Sequence, residues 1–108
     1  MSSLPVLPRE SARRDIDDAV AFYLQQDAPD AALRLVDELE RGFLMLAEHP
    51  RIGSNRWAEE LDLPGLRSWS LGHFPFVIFY VDRGDHVDVW RVLHGSRDLP
   101  EVLGDERP

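Results

Sequence analysis

The stretch RVLHGSRD, residues 91–98, sets two arginines, a histidine, a serine and an aspartate around Gly95. His94, Ser96 and Asp98 are the residue types of a base, a nucleophile and an orienting carboxylate. Members of a catalytic triad converge from separate elements, however, and neighbours on one turn rarely point inward together. The stretch instead predicts the end of a strand and a turn, with Gly95 relaxing the backbone. Nothing else supplies a ready-made catalytic centre. His49, His73, His86 and His94 lack the i, i+4 spacing or the Cys and carboxylate partners of a metal site. No glycine-rich loop follows a strand, so no nucleotide and no other cofactor is expected.

The arginines carry more weight. Arg67 falls on a predicted strand, Arg91 on the last strand and Arg97 just past it. Strict alternation puts Arg91 on one face with Val87, Val89 and Leu93, and Asp88, Trp90 and Val92 on the other. A charge on an apolar strand face is either paired internally or displayed on a working surface, and both readings stay open here. Trp90 reads as core. Trp57, in a loop, reads as an interface anchor. Trp69, Tyr80, His94 and Arg97 complete the set of candidate contact residues.

These residues must be positioned by elements that the periodicity reveals. Pro5 and Pro8 confine the first residues to an edge strand. From Ser11, a suitable N-cap, Ala12, Ile16, Ala19, Val20 and Tyr23 form one helical face, with Asp15, Asp17 and Asp18 near the positive helix end. Asp27 and Pro29 open a second helix whose face is Ala32, Leu35, Val36, Leu39, Phe43 and Leu46, ending at Pro50. The short connection implies an antiparallel helical hairpin. Residues 49–65 read as a loop by their Pro, Gly, Ser and Asn content. Leu66–Leu71, Phe76–Asp82 and Val87–Leu93 then read as strands, the second central and buried on both faces, with DRGD (82–85) as a tight turn. Helices followed by strands predict an α+β fold.

Composition narrows function. The 108 residues suit one domain. Absence of cysteine excludes disulfides and thiolate chemistry. No apolar run reaches the roughly 20 residues of a membrane span, and MSSLPVLPRE lacks a secretory pattern, so a cytoplasmic location is expected. The formal net charge is −8, which opposes direct binding to nucleic acid. All twelve basic residues are arginine, so a lysine base or Schiff base is excluded.

SARRDIDDAVAFY (11–23), LMLAEHPRIG (44–53), LPGLRSW (63–69), FPFVIFYV (74–81) and WRVLHGSRDLP (90–100) occur in an order that resembles the ParE/RelE superfamily of toxins from bacterial type II toxin–antitoxin operons. The chain is most similar to the ParE-type branch. The resemblance implies an N-terminal edge strand, a helical hairpin, a three-stranded antiparallel sheet and a short C-terminal tail. It implies a ParD-like antitoxin whose disordered segment folds onto the toxin, and DNA gyrase as the target. The alternatives are a non-toxic interaction domain of the same fold and the RelE-like branch of ribosome-dependent ribonucleases, in which Arg91 and His94 would be the catalytic counterparts. This chain lacks the cationic field of those enzymes. It has no lysine, Val77 stands where a strand arginine would be expected, and HGSRD replaces the aromatic ending.

Overall fold

The computed structural model describes residues 3–95, 99–104 and 106. Its elements are β1 (Val6–Pro8), α1 (Glu10–Gln25), α2 (Pro29–Glu48), α3 (Arg56–Glu60), β2 (Leu66–Ser70), β3 (Phe76–Asp82), β4 (Val87–His94) and α4 (Leu99–Gly104). The strands form one sheet in the order β1-β4-β3-β2. The edge strand β1 runs parallel to β4, and the other pairs are antiparallel.

The hairpin of α1 and α2 covers one sheet face. Ala12, Ala19, Leu35, Leu39 and Leu46 pack there with Ile78, Tyr80, Val87, Val89 and Val92. These helix positions follow the expected period, so each turn adds apolar area to a single seam. The opposite face carries Phe79, Val81, Trp90 and Leu93. It is closed by Leu63, Leu66, Leu99 and Leu103, with Trp57 and Ala58 packed alongside. The strand β3 therefore contributes to both clusters, which accounts for its nearly continuous apolar run. At the turn into β4, Gly84 adopts φ +89, where a side chain would be strained.

Three local expectations are corrected. Asp27 does not cap the second helix. It sits at φ 55 just past α1, with its N–H on the Leu24 carbonyl and the Ala28 N–H reaching back to Tyr23. That is a Schellman ending of α1, and α2 starts on Pro29 with Ala28 as its N-cap. Substituting Asp27→Gly removes the positive-φ penalty, and an increase in unfolding free energy of about 0.5–1 kcal/mol is expected from chemical denaturation.

Ser11 does not cap α1 either, because the helix begins at Glu10, with Arg9 as N-cap. The Arg9 N–H closes the parallel pairing on the Val89 carbonyl, and the chain turns directly from strand into helix. Residues 49–65 are not a plain loop. They contain α3, and Ser54 bridges to Ser68 on the outer edge of β2.

A fourth difference concerns β4. Phe79 pairs with Arg91 and Tyr80 with Val89, so Trp90 is an extra residue, a β-bulge. Alternation is broken there. Val87 and Val89 share their face with Val92, while Leu93 joins Trp90 on the other. The Trp90 carbonyl lies 3.3 Å from the Ser11 hydroxyl, which donates to the Glu106 carboxylate at 2.7 Å.

Candidate functional site

Beyond the bulge, Arg91 meets α1. Its Nε and Nη2 donate to the two carboxylate oxygens of Asp15, both at 2.7 Å, and Asp15 Oδ2 also accepts the Val92 N–H at 2.9 Å. Both side chains are well covered, at 16% and 10% exposure. A bidentate pair that also satisfies a strand N–H is a structural clamp between helix and sheet.

Arg67 and Tyr80 are cross-strand neighbours. Arg67 Nη1 donates to the carbonyls of Arg51 and Gly53, and the Tyr80 hydroxyl accepts the Gly53 N–H at 2.9 Å. Tyr80 is fully buried. Burial raises its pKa, against the opposing effects of the Gly53 hydrogen bond and the Arg67 charge. These two residues hold the 51–53 loop against the sheet.

The remaining candidates are dispersed. Trp57 is half-buried in the second cluster, with the Arg56 guanidinium 4.4 Å above its ring. Trp69 is half-buried and lines a shallow groove with Met45 and Leu71. His94 is exposed at the end of β4, edge-on to Phe76 at 5.8 Å. Arg97 lies outside the described residues, as do Ser96 and Asp98. A Cβ at Gly95 would meet only the Pro75 carbonyl, 3.8 Å away, so this position does not draw on glycine's special freedom. The structure thus joins Arg67 to Tyr80 at the 51–53 loop and clamps Arg91 to α1. It does not bring the six described candidates into one cleft.

A second ionic centre lies on β4. Asp88, 9% exposed, accepts Arg9 Nε and Nη2 at 3.1 and 3.0 Å, Arg83 Nη2 at 3.0 Å and the Trp90 indole N–H at 3.1 Å. The Arg9 guanidinium also stacks over Trp90 at 4.6 Å and donates to the Glu106 carbonyl, tying the C-terminal residues to the sheet. Burial alone would raise the Asp88 pKa. The hydrogen bonds from Arg9 and Arg83 outweigh it and hold the carboxyl below its ordinary value of 3.8. Its folded pKa is depressed, so its stabilising contribution is present above that ordinary value and is lost as pH falls through the folded pKa. Unfolding free energy measured from about pH 6 down to pH 2 should drop with a slope that is shallower in Asp88→Asn.

The surface features that sequence reasoning missed lie on the hairpin. A groove of about 270 Å³ runs between α1 and the end of β4, with Ala19, Phe22, Tyr23, Phe76 and Val92 among its walls and Asp15, Asp18 and His94 at its margins. Phe22 is 53% exposed. The available signal was Phe22 itself, an aromatic lying off the apolar face of the first helix. Leu24, Leu33 and Leu44 are also exposed large apolar residues of the hairpin. Residues 10–48 carry ten carboxylates and four arginines, a net −6 of the chain's −8. The described residues contain no cluster of three or more metal-ligating side chains, and none of their helices is long and apolar enough to cross a membrane.

A family model described as the ParE toxin of the type II toxin–antitoxin system, parDE, matches residues 6–99. The chain belongs to the ParE toxin family. A relative from Sinorhizobium fredii (strain NBRC 101917 / NGR234), named "Putative toxin Y4kP", is 30% identical over 86 residues, covering 80% of this chain and 83% of the relative. The fold is shared with a solved chain of the "Chromosomal ParDE TA system from P. aeruginosa", at a TM-score of 0.70 and 22% identity, over 85% of this chain and 96% of that one. Within this ParE fold the matched region runs from β1 to the first residue of α4. It therefore includes the bulge, the Arg91–Asp15 clamp and the groove.

Proposed function

We propose that this ParE-family toxin acts by binding protein, with DNA gyrase as its target, and that a cognate ParD-like antitoxin neutralises it in the cytoplasm by covering its surface. The observation that carries the reading is the engagement of the strand cations. Arg91 is held bidentate by Asp15 and Arg67 by two backbone carbonyls. An arginine that stabilises a transferring phosphoryl group must present its fork to the substrate. Here the Arg91 fork faces the protein's own carboxylate, Arg67 gives its Nη1 to two backbone carbonyls, and Tyr80 turns its hydroxyl to Gly53. Apolar side chains of the hairpin, by contrast, are open to solvent, with Leu33 at 65% and Leu44 at 61% exposure. Phe22, 53% exposed beside the groove between α1 and β4, is an aromatic of the kind that anchors a protein partner.

The test is pulse-labelling of DNA and protein synthesis in susceptible bacteria minutes after the chain is induced without its antitoxin. DNA synthesis is expected to fall first while translation continues, and purified gyrase should be inhibited by the purified chain. Translation collapsing first, with cleaved messages, would overturn the gyrase reading and return Arg91 and His94 to consideration as nuclease residues.

A further inference from the structure

The groove between α1 and β4 has an unusual margin for a surface that must receive a peptide. Its floor is apolar, built from Ala19, Phe22, Phe76 and Val92. Two of its marginal carboxylates differ in what they have left to offer. Asp15 is consumed by Arg91 and the Val92 N–H. Asp18, one turn before Phe22 on the same face of α1, is exposed and makes no hydrogen bond or ion pair among the described residues, and its exposed neighbour Asp17 makes none either. The hairpin as a whole carries a formal −6. An acidic segment approaching here would meet a repulsive field and leave Asp18 facing a like charge, whereas a basic one would be steered in.

Resting on the antitoxin reading above, we infer that the antitoxin segment seated in this groove is cationic: an apolar side chain enters over Ala19, Phe22 and Phe76, and an arginine or lysine beside it pairs with Asp18. The exposed face of Phe22 adds a surface over which the same cation can lie, since a cation is attracted to the negative face of an aromatic ring. A second copy of this chain is the poorer occupant, because an isologous contact would bring two hairpins of −6 together.

The experiment uses the full chain and the purified product of the reading frame adjacent to its gene, with affinity read by calorimetry at about 50 and about 500 mM NaCl. The expected result is a loss of about tenfold or more in affinity at the higher salt. The Asp17→Lys/Asp18→Lys variant should bind about tenfold more weakly than wild type at low salt and nearly equally at high salt. Phe22→Ser should bind more weakly at both. If the double reversal does not fold, Asp18→Asn reads the same interaction at smaller amplitude. Equal or tighter binding by the charge-altered variant at low salt would overturn the cationic assignment while leaving the antitoxin partnership standing. A self-associated chain in which Asp17→Lys/Asp18→Lys tightens the dimer would assign the groove to a second copy and overturn it as well. No binding by the wild-type chain at either salt would overturn the antitoxin reading itself.

Discussion

Asp15→Ala is expected to lower the unfolding free energy by about 3–5 kcal/mol, read from urea denaturation followed by tryptophan fluorescence. The substitution takes the bidentate partner from the Arg91 guanidinium, 16% exposed, leaves it the more distant Glu106 carboxylate at 3.9 Å, and strips the Val92 N–H of its acceptor. Breaking a covered pair costs far more than the pair contributes relative to an apolar replacement, because the surviving charge keeps its desolvation penalty. The Asp15→Leu/Arg91→Met double variant should therefore recover most of the loss, leaving about 1 kcal/mol for the unsatisfied Val92 N–H. A single-variant cost below about 1 kcal/mol would mean that the pair behaves as a solvent-screened surface bridge. The double variant also separates two roles for Arg91. A structural clamp predicts that toxicity survives with the restored fold, whereas a nuclease role predicts that toxicity is lost although the fold is intact.

The second large effect is expected at Gly53. A Cβ built there would lie 2.6 Å from the Tyr80 hydroxyl, 2.9 Å from Tyr80 Cε1 and 2.8 Å from the Ser68 carbonyl oxygen. None of these neighbours can yield at low cost. Tyr80 is fully buried, and the Ser68 carbonyl accepts the Ser54 N–H at 2.9 Å. Gly53→Ala must move the loop, which breaks the Gly53 N–H bond to Tyr80 and loosens the grip of Arg67 on the Gly53 carbonyl. A destabilisation of about 2–4 kcal/mol is expected, combining overpacking with one lost buried hydrogen bond. Gly95→Ala serves as the control, since the new methyl would meet only one atom at 3.8 Å. It should change stability by less than about 0.5 kcal/mol. Equal effects at the two glycines would contradict the close packing at Gly53.

The sequence alone determined the elements whose signals are local and repeated. The faces Ala12–Ile16–Ala19 and Leu35–Leu39–Leu46 were legible because a helix must return an apolar side chain to the core on each turn. The apolar run of β3 marked it as central because a strand buried on both faces has no solvated side to mark. Pro5 and Pro8 placed β1 at an edge because proline has no N–H to give a second neighbour. The order of these elements, with the quoted stretches, sufficed to name the family.

What the tertiary structure decided rests on contacts between residues far apart in the chain. Asp15 looked like a charge suited to a helix start, and only a partner 76 positions away makes it the clamp on Arg91. The bulge at Trp90 reverses the alternation of β4, and no residue type announces it. It is fixed by the register against β3. Asp27 carries a side chain suited to an N-cap, yet the bonds closing α1 put its backbone in the left-handed region instead. The groove follows from the same cause. Phe22 sits one turn beyond Asp18 in any helix, but an open, acidic-rimmed cleft exists only where α1 crosses the end of β4.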